Sequence, residues 1–179
     1  DSLNDPEAAL AIMKRARDLA PDRTDVAASL GRIAFQAGEH EWANGILREA
    51  LDAASSDPAL HLDYAWSAYS IGKIKEARKA IIQLLDSAPD SPRAQEAQDF
   101  LAMIDANAAD PSSLDTSLPL ATKILESDPE QVAALALRAR AETQRDDSQA
   151  AIKTYEQILA RFPGFTPAQK NLAKLYLDD

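Results

Sequence analysis

The chain has 179 residues, 29 acidic against 19 basic, a formal net charge of −10, and no cysteine. The charge disfavours a nucleic-acid partner, and the missing thiols exclude disulfides, thiolate nucleophiles and cysteine metal sites. Aromatics make up only 6% while alanine, the best helix former, supplies much of the 46% hydrophobic share, so an all-α fold is expected rather than a sheet.

In chain order, Ala9, Met13 and Ala16 recur at helical spacing ahead of Pro21 and predict a first helix. Next come two helical patterns separated by Gly38: Ala27, Leu30, Gly31 and Ala34, then Ala43, Leu47, Ala50 and Leu51. The scheme repeats with His61, Tyr64, Ala65 and Ala68, then Gly72, then Ala77, Ile81, Leu84 and Leu85. Gly38 and Gly72 are 34 residues apart, and so are Ala43 and Ala77, Leu47 and Ile81, and Pro129 and Pro163. Such a period marks stacked helical pairs. Helices of about 13 residues are marginal alone and persist only when their apolar faces are covered.

Asp5-Pro6, Asp57-Pro58, Ser91-Pro92 and Thr166-Pro167 each set a capping side chain before a proline at a helix start. From Pro92 to Pro129 is 37 residues where the period needs 31, so six extra residues sit between two helices. They fall near 107–116, a stretch read as a surface loop. The following helix is expected to start near Ser117, with Pro119 in its first turn. Leu137 and Ala139, then Ala151, Tyr155 and Pro163, resume the pattern, and Leu172, Ala173 and Tyr176 open a last helix.

Leu30-Gly31, Gly38, Ala43 and Ala50 in one unit, and Tyr64-Ala65, Gly72, Ala77 and Pro89 in the next, resemble the tetratricopeptide repeat (TPR) family over nearly the whole chain. The resemblance implies a right-handed superhelical solenoid of about ten helices in one domain. Its parts would be a half repeat 1–23, pairs 24–57, 58–91, 92–131 and 132–165, and a half repeat 166–179. The half units at both ends suggest a segment of a longer protein.

In that family the first helix of each pair lines a concave surface. The corresponding stripe carries Arg32, Phe35, Leu62, Trp66, Tyr69, Phe100 and Met103, and further on Arg140, Lys170 and Lys174. An apolar centre with a basic end suits a peptide or protein bearing hydrophobic anchors and acidic residues. The same rings would also suit packing between helices. The Lys and Asn clamp of the chaperone-tail-binding members has no counterpart at Ala28, Arg32, Leu62 and Trp66.

Nothing in the chain points to catalysis. His40 and His61 lack a second ligand at metal spacing and are expected to pack or turn. Asp105, Asp110 and Asp115 do not have calcium-loop spacing. No phosphate loop, nucleophile elbow or dinucleotide fingerprint occurs, so no cofactor or metal is expected. No apolar run reaches the ~20 residues of a membrane span, and the compartment stays open. The expected function is a protein-interaction scaffold. The alternatives are self-association through the terminal half repeats, or a non-catalytic arm of a larger enzyme or secretion assembly.

Overall fold

The computed structural model describes residues 6–109 and 114–178. The described residues form ten α-helices: α1 (Pro6–Leu19), α2 (Thr24–Gln36), α3 (His40–Ala53), α4 (Pro58–Ser70), α5 (Ile74–Ser87), α6 (Ala94–Ala108), α7 (Leu114–Ser127), α8 (Val132–Gln144), α9 (Ser148–Arg161) and α10 (Thr166–Asp178). They group into two compact units, one holding the residues up to Ala68 together with Lys75–Ala94, the other holding Tyr69–Ile74 with the residues from Gln95 onward.

In the first unit α2 and α3 form a hairpin whose facing sides are small. Ala27, Leu30 and Ala34 meet Ala43, Leu47 and Ala50, all buried. Gly31 sets the spacing of the pair, because a Cβ there would stand 2.6 Å from Leu47 Cγ. Between the helices Gly38 takes a left-handed φ of 87. Its N–H donates to Phe35 O at 3.1 Å, while the Glu39 N–H donates to Ala34 O at 2.9 Å. That crossed pair satisfies two carbonyls at the end of α2. Asp57 caps α4 as expected, its Oδ1 accepting from the Ala59 N–H at 2.9 Å. Outside, α1 packs on α2, and it is tied to α3 by an Arg17–Glu49 ion pair. The Lys14 ammonium also lies 4.6 Å from the centre of the Trp42 ring.

In the second unit α7, α8, α9 and α10 pack in succession. Val132 through Leu137 of α8 are all buried, so the first half of this helix is covered on several sides and reads in sequence as valine, alanine and leucine. The turn at 69–74 lies against the start of α10. Gly72, at φ 82, leaves room for the Thr166 backbone N, which a Cβ would approach to 3.2 Å. The α8–α9 turn has the same hydrogen bonds as the Gly38 turn, with Asp146 N–H to Thr143 O at 3.2 Å and Asp147 N–H to Glu142 O at 3.0 Å. Here Asp146 is the left-handed residue, at φ 58.

Some expected boundaries differ. α7 begins at Leu114 rather than near Ser117, which places Pro119 inside it. The ring then denies the Asp115 carbonyl its intrahelical N–H. α6 begins at Ala94, so Pro92 precedes the helix, and the Ser91 hydroxyl accepts from the Arg93 N–H at 3.3 Å. Thr166 is itself the first residue of α10, and its hydroxyl donates to Gly164 O at 3.5 Å instead of capping. The Asp5 cap and part of the expected 107–116 loop lie outside the described residues.

Candidate functional site

One turn of α2 presents Arg32, Phe35 and Gln36, and one turn of α4 presents Asp63 and Trp66, each set at i, i+3 or i+4 and therefore on one face. Together with Leu47 of α3 they line a cleft of about 190 Å³ in the first unit. Phe35 and Trp66 are both half-buried. The Phe35 ring meets the buried His40 edge-on, centres 5.0 Å apart.

The polar side of the cleft is an ion-pair chain. Arg32 Nη1 donates to Asp63 Oδ2 at 2.8 Å, and Arg93 Nη1 donates to Asp63 Oδ1 at 2.9 Å. A single carboxylate is thus shared by two guanidiniums. Asp63 is 10% exposed, whereas the Arg32 side chain is 46% exposed and also donates to Ser29 Oγ at 3.2 Å. Solvent screening limits the worth of the pair to stability, but it orients Arg32 at the rim.

Three residues of the expected stripe, Arg32, Phe35 and Trp66, therefore come together. Four others are interior and offer no surface to a partner: Leu62, Tyr69, Phe100 and Met103 are each at most 2% exposed. In the second unit the reason is aromatic packing. The Tyr69 ring centre lies 5.4 Å from that of Phe100, edge-on, and 5.3 Å from that of Phe165. Burial pushes the Tyr69 hydroxyl above its ordinary range. Phe165, just before α10, is not part of the expected stripe, and no periodic signal marks it.

Arg140 also differs from its expected role as an open basic contact. It donates from Nη1 to Ala106 O at 2.8 Å and Asn107 O at 2.9 Å, and from Nη2 to Ala109 O. A cation on the last carbonyls of α6 complements that helix end. Arg140 further lines a second cavity, of about 250 Å³, with Tyr69, Ile104, Tyr155 and Phe165 among its walls. Lys170 and Lys174 stand exposed on α10 and line neither cleft. Asp63 and Arg93 are site residues that the sequence reading missed. Asp63 is legible as the i−3 neighbour of Trp66, but Arg93 sits in a turn where helical spacing gives no direction.

A shallower recess of about 300 Å³ between α3 and α5 holds Arg48, Asp52, Tyr64, Glu76 and Lys79. There the Tyr64 hydroxyl donates to Glu76 Oε2 at 2.9 Å. Burial first, and the Glu76 carboxylate second, push that hydroxyl up to about 12. His61 is buried, its Nε2 2.8 Å from Ser55 O. Among the described residues no cluster of His, Cys, Asp and Glu could hold a metal ion, and no helix is long and apolar enough to cross a membrane.

Comparison with known proteins agrees with this architecture. Family models described as tetratricopeptide repeat match residues 2–58, 34–104 and 132–175. No curated protein matches the chain. Among solved structures, a tetratricopeptide repeat protein from Parabacteroides merdae is similar at TM-score 0.54 and 19% identity, over 97% of this chain and 66% of its own. YrrB, described as a TPR protein with an unusual peptide-binding site, gives TM-score 0.53 and 18% identity, over 95% of this chain and 84% of its own. Human IFIT1, solved as a dimer with m7Gppp-AAAA, gives TM-score 0.50 and 18% identity, over 97% and 42%. The chain thus spans only part of these proteins, and at such identities the likeness concerns the fold.

Proposed function

The chain belongs to the tetratricopeptide repeat family, and from that premise we propose that it holds a peptide or partner protein in the cleft between α2 and α4. Repeats of this family and fold serve generally as protein-interaction scaffolds and are typically non-catalytic. The observation that carries the reading is the pair Phe35 and Trp66, two rings half-buried on the walls of an open cleft. An apolar side chain of the partner fills the space between them. The partly exposed Arg32 at the rim meets an acidic residue beside that anchor.

Magnitudes bear on the size of the partner. One fully buried apolar side chain contributes roughly 1.5–3 kcal/mol, while association costs an estimated ~4–15 kcal/mol. A single anchor does not hold a complex, so the partner extends well beyond the cleft, as a folded protein or a long peptide does.

The test is affinity capture from native lysate with the wild-type chain and with Trp66→Ala, both checked by circular dichroism. The expected result is a set of proteins retained by the wild type and lost from the variant at equal helix content. Recovery of the same proteins with both would sink the reading.

A further inference from the structure

The cavity of the second unit has a chemistry that no partner peptide is needed to explain. Among the described residues its one charged lining residue is Arg140. Among the described residues, the hydrogen bonds of that guanidinium go to backbone carbonyls, those of Ala106, Asn107 and Ala109. Among the described residues, three such bonds leave two of the five guanidinium N–H groups for another acceptor. A helix C-terminus supplies only about half a unit of negative charge. The capping contact fixes the guanidinium in place.

The surroundings are apolar. Tyr69, Ile104 and Phe165 form walls, and Ala136 of α8, only 7% exposed, contributes a methyl. At the polar end stand Tyr155 and Asn171. Burial raises the Tyr155 hydroxyl above its ordinary value, against the lowering effect of Thr143, Asn171 and the Arg140 charge beside it. An apolar cavity of about 150 Å³ accepts benzene. The space here, about 250 Å³, takes a ring or short chain together with an anionic head.

We propose that this cavity binds a small apolar carboxylic acid, with Arg140 holding the carboxylate and the Tyr69, Ile104 and Phe165 walls covering the hydrocarbon. The site is separate from the α2–α4 cleft and does not depend on it. A preoriented guanidinium in an apolar-walled recess favours a carboxylate over a neutral amide of the same shape.

The test uses the full chain titrated with phenylacetate and hexanoate, with phenylacetamide as the uncharged isostere, followed by calorimetry and NMR shifts. At least one acid should bind, and phenylacetamide should bind about tenfold or more weakly than phenylacetate. Ala136→Leu, which fills the cavity from α8, should lose acid binding while circular dichroism is unchanged. Arg140→Gln should lose the preference for acid over amide. Because Arg140→Gln also loosens the end of α6, the acid–amide comparison on the wild type decides the matter. Absence of binding by both acids up to about 10 mM, equal binding of phenylacetate and phenylacetamide, or undiminished binding to a folded Ala136→Leu would overturn the proposal.

Discussion

Asp146 carries a left-handed backbone at φ 58, in the turn where Gly38 and Gly72 stand in the earlier repeats at φ 87 and φ 82. A side chain in that conformation is strained, less for Asp than for most residues. Asp146→Gly should relieve the strain and keep the hydrogen bonds at Thr143 O and Glu142 O. Because glycine also loosens the unfolded chain, the net gain should be small, about 0.5 kcal/mol. Urea denaturation measures it, and a lower midpoint would mean that the carboxylate of Asp146 stabilises the turn in some other way. The position itself is legible in sequence, since Asp146 falls two periods and six residues after Gly72. Burial on the stripe is less legible. Trp66 and Tyr69 share one helical face and the same aromatic chemistry, yet Trp66 is half-buried beside a cleft and Tyr69 is 2% exposed. Tyr69 is covered by Phe100 and by Phe165, the latter almost a hundred positions further along the chain, and helical spacing carries no information about contacts so remote.

Helix boundaries were readable where a period and a cap coincide, as at Asp57 and α4, and failed where the period breaks. α7 is the case: the six-residue insertion removes the register, and the proline rule then favours a start that keeps Pro119 in the first turn. The helix instead extends back to Leu114, because Leu114 is buried and draws one more turn into the core. Pro119→Ala should restore the hydrogen bond to Asp115 O and remove the ring clash. Against a proline cost of up to about 3 kcal/mol stands the flexibility gained by the unfolded chain, so a net gain of roughly 1–2 kcal/mol is expected. A thermal melt checks this. No change would show that the turn around Leu118 has already adjusted to the ring. Arg140 teaches a related lesson: a base at the inner-face position of a first helix is expected to stand as an open contact, yet three of its N–H groups are taken by the carbonyl end of α6. Sequence shows which residues share a face, but not which helix end will lie opposite.

Among the described residues, the most exposed large apolar side chains lie on α1 and α10: Ile12 and Leu19 of α1 are 67% and 81% exposed, and Tyr176 and Leu177 of α10 are 55% and 85% exposed. Apolar surface of this kind would draw two copies together, while a net charge of −10 opposes their approach. Salt screens the repulsion and leaves the apolar attraction, so the mass measured by light scattering should rise with ionic strength and protein concentration. A constant monomer mass from low to high salt would count against that surface as a self-contact. Within the second unit, α8 has alanine methyls at Ala133, Ala134, Ala136, Ala139 and Ala141 all buried, with α7 and α9 packed on it. A methyl group has no rotamer to lose and offers no ridge to lock a neighbour in place. The register of α8 against α9 therefore rests on its larger side chains: Leu135 and Leu137 are buried, Arg138 donates to Gln157 Oε1 at 3.1 Å, and Glu142 accepts from the Thr154 hydroxyl at 2.7 Å, so a close seam of methyls is pinned at a few points.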